Sequence, residues 1–222
     1  MTESVRSKRA TLAYGLATLA VTVIAIMHGL WFDHIEALVQ IIIPFSFVSL
    51  GMLIKYGDRS FDDGVFDQKV SKTIAVPCGI WMGGLIFYDP GSATIFIGLL
   101  LALLLAAKYD NVAFKAGFLV AGAIGLLSFV NYPGNASIIG IIVVFLAAYA
   151  DELVSDRADR SPSKGWLNSL MKERPVLKLA VLVLCITSLL PSYMYFFAFL
   201  GFDLGYSFVE RYSVWRGSAA AA

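Results

Sequence analysis

Charge is scarce in this chain. Asp, Glu, Lys and Arg make up only 15% of its residues, against 59% apolar ones, where a soluble domain carries about 25% charged side chains. A water-soluble globular domain is thereby excluded. Net charge is scarce too: seventeen basic and sixteen acidic residues leave +1, so no basic surface points to nucleic acid. Cysteine appears only at Cys78 and Cys185, each inside an apolar run, which argues against a disulfide framework and a Cys-based metal site. No acidic or basic side chain stands in the middle of an apolar run. An ionisable group inside a membrane is the usual mark of a proton relay, so its absence argues against a proton-coupled pump. The two histidines, His28 and His34, gather with Asp33 and Glu36 at the end of the first run. No other run offers them a matching metal ligand, and a polar turn is the simpler reading.

What the chain has instead is seven apolar runs, Ala10–Phe32, Ile35–Ile54, Thr73–Tyr88, Ser92–Ala107, Val112–Val130, Ala136–Ala150 and Val176–Leu200. A span needs about 20 residues, within a range of roughly 17–25, so the shorter runs must extend into their flanks. The first run follows Arg6, Lys8 and Arg9 as a signal peptide would, yet it is too long for one and lacks a small-residue cleavage site. The expectation is an all-α, polytopic membrane bundle of about seven transmembrane helices, forming a single integral membrane domain over residues 1–216. The closing Gly217–Ala222 stretch reads as an appended tail. With the N-terminus inside, fifteen of the seventeen Lys and Arg fall on the cytoplasmic side and only Arg211 and Arg216 outside. Basic residues are retained in the cytoplasm, which predicts a multi-pass protein of the cell membrane, N-in and C-out. A retinal protein would be N-out with a lysine in mid-helix seven, and this one has none.

The outer turns are short, and two of them carry Pro-Gly pairs suited to tight turns. They expose a repeat: Pro90–Gly98 (PGSATIFIG) is echoed by Pro133–Gly140 (PGNASIIG), forty-three residues later. The even-numbered runs end alike, in Lys55-Tyr56-Gly57-Asp58, Lys108-Tyr109-Asp110 and Tyr149-Ala150-Asp151. This reads as three hairpins, each returning a Tyr and a carboxylate to the inner rim, with a seventh helix added. Small residues at Gly79-x-x-x-Gly83, Gly117-x-x-x-Ala121 and Ala121-x-x-x-Gly125 allow close helix approach. Pro44, Pro77 and Pro191 should kink their helices by removing a backbone hydrogen bond.

Two acidic rims bracket the middle of the chain. The first holds Asp58, Asp62, Asp63 and Asp67; the second holds Asp151, Glu152, Asp156 and Asp159. Continued as helix, Glu152, Asp156 and Asp159 share one face. Gathered carboxylates repel unless a cation sits among them, and Mg²⁺ is the expected guest, bound by one or two carboxylates together with phosphate oxygens. Lys69, Lys72, Arg157, Arg160 and Lys164 stand close in sequence and can hold remaining phosphate charge. Acidic metal ligands, basic phosphate ligands and an apolar bundle beneath suit a diphosphate head on an isoprenoid tail. A solvated cytoplasmic loop is the plain alternative.

With these residues the chain resembles the UbiA-type intramembrane prenyltransferases, in particular archaeal enzymes that add a geranylgeranyl chain to a glycerol-phosphate lipid. The resemblance covers roughly Gly51–Arg160. It rests on Asp58-x-x-x-Asp62-Asp63-x-x-x-Asp67 followed by Lys72 and Val76-Pro77-Cys78-Gly79; on Tyr109, Lys115 and Gly117-Phe118 with Gly125–Phe129; and on Phe145-Leu146-Ala147 followed by Glu152–Asp156. Gly57 stands where the family has Asn, Asp151 where it has Arg, and the family has nine helices. The resemblance implies Mg²⁺-dependent transfer of an isoprenoid chain from a prenyl diphosphate to a lipid or aromatic acceptor at the cytoplasmic face. It implies Asp58, Asp62, Asp63, Asp67, Glu152 and Asp156 as metal ligands, with Asp63, Asp67, Glu152 and Asp156 carrying the catalysis. Lys69, Lys72, Tyr109, Lys115, Arg157 and Arg160 are then the diphosphate ligands, and Tyr193, Tyr195 or Phe196 offer aromatic faces to an allylic cation. Two other readings stay open, a small seven-helix transporter or channel and a non-catalytic membrane partner. A membrane protease fails, because Asp151-Glu152 lacks an Arg at the needed offset and both histidines lie at the other side.

Overall fold

The computed structural model describes residues 3–32, 36–106, 111–159 and 174–220. All regular structure among them is helical: α1 (Glu3–Phe32), α2 (Ala37–Asp62), α3 (Gln68–Tyr88), α4 (Pro90–Leu105), α5 (Val112–Asn131), α6 (Ile138–Asp159), α7 (Pro175–Ile186) and α8 (Met194–Ala220). Five of these, α1, α2, α3, α5 and α6, are long and apolar enough to cross a membrane, and α4 and α7 are apolar but shorter. The chain is therefore an all-helical bundle with the make-up of a multi-pass membrane protein.

Helix starts are written locally. Asp67 Oδ1 accepts from Lys69 N at 2.7 Å to begin α3, and Asn111 Oδ1 accepts from Phe114 N at 2.7 Å to begin α5. Asp89 Oδ2 takes Ser92 N at 2.7 Å ahead of α4, whose first residue is Pro90. Each satisfies a backbone donor that a helix start leaves without an intrahelical partner, and proline is tolerated there because its missing N–H would go unused. Pro44 and Pro77 lie within continuous helices.

Pro191 does more than bend. The expected seventh span is two helices, α7 and α8, separated by a reversal over residues 187–193. Ser188 adopts φ 56, a region where an L residue is strained, and Leu190 N donates to Leu184 O at 3.0 Å to close the turn. Ser192 Oγ then accepts from Met194 N at 2.9 Å and starts α8. Among the described residues there are thus eight helices, not seven. The reversal corrects the expected placing of the two chain ends as well. α8 runs antiparallel to α1, with Met194 against Gly29 and Phe208 against Gly15, and the Arg211 guanidinium sits 5.4 Å from the Tyr14 ring centre. The C-terminal end of α8 therefore lies at the same end of the bundle as the start of α1 and the two acidic rims. α8 also runs on without a break through Gly217, the start of the stretch read as an appended tail.

Helix pairing follows the small residues and the repeat. α3 packs on α5 and α4 on α6, while α8 lies along both α1 and α2. A Cβ on Gly79 would come within 2.4 Å of Gly117 O, so this crossing requires glycine and matches the small-residue seam expected from the sequence. A Cβ on Gly51 would fall 2.1 Å from Phe202 O, which brings the backbones of α2 and α8 together in the same way. The two repeat copies meet each other: Thr94 Oγ1 accepts from Ser137 N at 3.1 Å, and these residues hold equivalent places in the repeat. Phe47, Phe96, Phe199 and Tyr195 fill the buried centre. At the end away from the rims, Tyr195 OH donates to Asp89 Oδ1 at 2.6 Å and ties α8 to the α3–α4 turn.

Candidate functional site

The site is a cavity of about 720 Å³ at the rim end of the bundle. Lys55, Asp58 and Asp62 reach it from the last turns of α2, Glu152 from α6 and Arg174 from the residue before α7. Asp203, Tyr206, Glu210 and Arg211 reach it from α8. Phe96, Leu99, Leu100 and Leu103 of α4, with Met82, Leu177 and Phe202, make its apolar floor. Lys55, Asp58 and Asp62 are spaced i, i+3, i+7, and so are Asp203, Tyr206 and Glu210, which puts each trio on one helical face.

The two trios interlock because α2 and α8 run parallel here. Lys55 Nζ donates to Tyr206 OH at 3.1 Å and lies 4.4 Å from that ring's centre. Tyr206 OH in turn donates to Asp58 Oδ2 at 3.2 Å. One turn on, Arg59 pairs with Glu210 at 2.9 Å and with Asp63. Across the cavity Arg174 pairs with Glu152 at 3.2 Å and faces the Tyr206 ring at 5.2 Å. Lys178 holds Asp203 at 2.7 Å. Burial works against the charge of Arg174, but the acidic groups around it, Tyr206, Glu152, Asp203 and Asp58, more than offset this and raise its pKa. The guanidinium stays a fixed cation in the cavity wall.

Arg174 is held in place from α6. It has left-handed backbone angles, φ 50 and ψ 55, and Pro175 follows. Asp151, only 1% exposed, accepts from Val176 N at 3.2 Å and from Leu177 N at 2.7 Å. Its carboxylate thus caps α7 from a neighbouring helix, where the helix dipole also favours a negative charge. Glu152, the next residue, takes Arg174 itself. The Asp-Glu pair therefore divides its work: one carboxylate anchors a helix and the other faces the cavity.

Of the residues expected from the sequence, Asp58, Asp62 and Glu152 come together on this cavity. The others do not. Asp63 ends α2 and is engaged by Arg59, and Asp67 is the exposed cap of α3. Lys69, Lys72, Lys115 and Arg157 are exposed and off the cavity wall. Tyr109, Arg160 and the side chain of Asp156 lie outside the described residues. Tyr193 ends the reversal and Tyr195 and Phe196 lie in the first turn of α8; none of them lines the cavity, where the aromatic faces are Phe96, Phe114, Phe202 and Tyr206. The sequence reading missed Lys55, Arg174, Asp203, Tyr206, Glu210 and Arg211 as site residues. The i, i+3, i+7 spacing of Asp203, Tyr206 and Glu210 was the available signal, hidden because the last run was ended at Leu200.

Five carboxylates and three cations line the cavity. Arg59 and Lys178 add two more cations from behind Glu210 and Asp203, so five carboxylates face five cations and neither sign is in excess. Among the described residues no group of three His, Cys, Asp or Glu side chains is close enough to hold a metal ion by itself. Mg²⁺ takes one or two carboxylates and completes its shell with water and phosphate oxygens. Asp58 and Asp62, one helical turn apart, fit that sparser role. No family model, curated protein or solved structure matches the chain, so its function is argued from this cavity alone.

Proposed function

We propose that the cavity binds a prenyl diphosphate and that the protein is a UbiA-type membrane prenyltransferase. One observation carries the reading: carboxylates from both acidic rims stand at the mouth of a single cavity whose floor is apolar. Lys55, Arg174 and Arg211 hold the diphosphate, Arg174 with the fork geometry that suits phosphate oxygens. The isoprenoid tail lies over Phe96, Leu99, Leu103 and Phe202. Asp58 and Asp62 would hold Mg²⁺, which when bound offsets the charge of the diphosphate head. In the transfer, the bond from the isoprenoid C1 to the diphosphate oxygen breaks with its electron pair leaving on diphosphate. The acceptor oxygen bonds to C1, and its proton is taken up by the released diphosphate. Tyr206, locked between Lys55 and Asp58, keeps its ring beside the head and excludes water.

Titration of the purified protein with geranylgeranyl diphosphate tests this. Binding should require Mg²⁺ and should saturate at one ligand per chain; no binding at any Mg²⁺ concentration refutes the reading. A transporter is the second reading, favoured by the part-buried Lys178–Asp203 pair and the Lys55–Tyr206–Asp58 chain. They supply ionisable groups inside the bundle that the sequence reading placed outside it. It predicts ligand movement across a vesicle membrane without a covalent product.

The same reading extends to orientation. All described Lys and Arg, including Arg211 and Arg216, belong to the rim end once α8 turns back, which under the positive-inside rule supports a cytoplasmic location for both chain ends. A fluorescent reporter that matures only in the cytoplasm should be bright when fused after Arg216. A dark fusion, together with activity of a periplasmic reporter at the same site, would contradict this.

A further inference from the structure

The turn between α2 and α3, residues 63–67, is polar save for Val65 and Phe66. Asp63, Gly64 and Asp67 are exposed, yet Phe66 is only 5% exposed. Its ring stacks on Tyr56 of α2 with centres 4.4 Å apart and lies nearly parallel to Tyr212 of α8 at 6.2 Å. The Arg216 guanidinium stands 5.8 Å from the same ring. Tyr212 is itself fixed by ring contacts with Phe208 and Trp215. Gly64, with φ 64, lets the chain turn back to bring the ring there. Val65 follows it onto α8: a Cβ on Gly217 would stand 3.9 Å from Val65 Cγ2.

Asp62 is the last residue of α2, at the end of a helix whose final carbonyls lack intrahelical partners and which frays unless something holds it. Phe66 supplies the hold, because it folds the turn back onto Tyr56 and fastens both to α8. We propose that Phe66 is a positioning residue for the cavity: clasped between α2 and the inner end of α8, it keeps the last turn of α2 wound and sets Asp62 at the cavity wall. Phe66, Tyr56 and Tyr212 do not line the cavity, so they act through Asp62 and touch no ligand. The metal-holding role of Asp62 rests on the transferase reading, whereas the clasp stands on the ring geometry.

Hydrogen exchange of the ligand-free protein in detergent reads the clasp. In Phe66→Ala the amides of residues 60–63 should exchange at least tenfold faster, as an unfastened helix end does. Those of residues 47–50, deeper in the same helix, should keep their rate. Tyr212→Ala should give the same pattern from the other side. Binding of geranylgeranyl diphosphate reads the consequence. The Mg²⁺ concentration for half-maximal binding should rise about tenfold in Phe66→Ala, the scale for losing an outer support of a metal ligand. Asp62→Asn should then add less than twofold, since changes that act through one group are not additive. A disulfide joining Val65→Cys to Gly217→Cys should bring Phe66→Ala back to within about twofold of the unmodified protein, and reduction should undo the rescue. Unchanged exchange at residues 60–63 overturns the proposal. So does full additivity of Phe66→Ala with Asp62→Asn, the result for a side chain that only packs, and so does a disulfide that forms without rescue. If exchange responds but the unmodified protein binds no geranylgeranyl diphosphate, the clasp stands and the transferase reading falls.

Discussion

Asp58→Asn combined with Asp62→Asn is expected to lower prenyl transfer by about two to three orders of magnitude, the usual scale for losing preorganised electrostatic groups at a reacting centre. Asp63→Asn and Asp67→Asn are expected to leave it within about threefold, since the interactions lost are small at exposed positions. The contrast reverses the weighting of the sequence pattern, in which Asp63 and Asp67 were the leading candidates. The reason is geometric. Asp58 and Asp62 stand on the face of α2 that meets the cavity, whereas Asp63 is drawn to Arg59 and Asp67 opens α3. Asn serves as a helix cap about as well as Asp, so Asp67→Asn also separates capping from ligation. Turnover of radiolabelled geranylgeranyl diphosphate by the four single variants and the double variant is the measurement. Equal losses across all four positions would return the site to the loop.

The second large effect falls on stability. Asp151→Ala should destabilise the protein by about 2–4 kcal/mol, because two backbone donors at the start of α7, one of them buried, lose a charged acceptor together. Val176 N and Leu177 N have that carboxylate as their partner, and the helix they begin carries Lys178 toward Asp203. Asp151→Asn keeps one acceptor oxygen and should recover about half of the loss. Thermal unfolding in detergent reads both. Prenyl transfer should fall in Asp151→Ala even below its melting point, since Arg174 immediately precedes the loosened helix. A full-strength Asp151→Ala protein would show that α7 is held by packing alone.

Much of the bundle was legible because its signals are local. Apolar runs gave the helices, and the small-residue patterns marked Gly79 and Gly117, but not that these two meet backbone to backbone where α3 crosses α5. The Pro-Gly repeat marked α4 and α6, and its equivalent residues Thr94 and Ser137 turn out to bond to each other. The reversal at residues 187–193 was not legible. It holds no charged residue and lies between two strongly apolar helices, so hydropathy reads straight through, and the strained turn at Ser188 carries no glycine to announce it. That one misreading displaced the whole of α8, and with it Asp203, Tyr206 and Glu210. The acidic rims were visible as composition, but whether a carboxylate caps, pairs or faces a cavity depends on what lies opposite it in space. Asp151 and Glu152 are neighbours in sequence with opposite roles, and only the position of α7 separates them.

The most direct test is an experimental structure of the protein with Mg²⁺ and a non-hydrolysable thiodiphosphate analogue of geranylgeranyl diphosphate. The head should lie among Lys55, Arg174 and Arg211, near Asp58 and Asp62, with the tail on Phe96 and Phe202. Density for the head outside the bundle, beside Asp63, Lys69 and Lys72, would contradict the account.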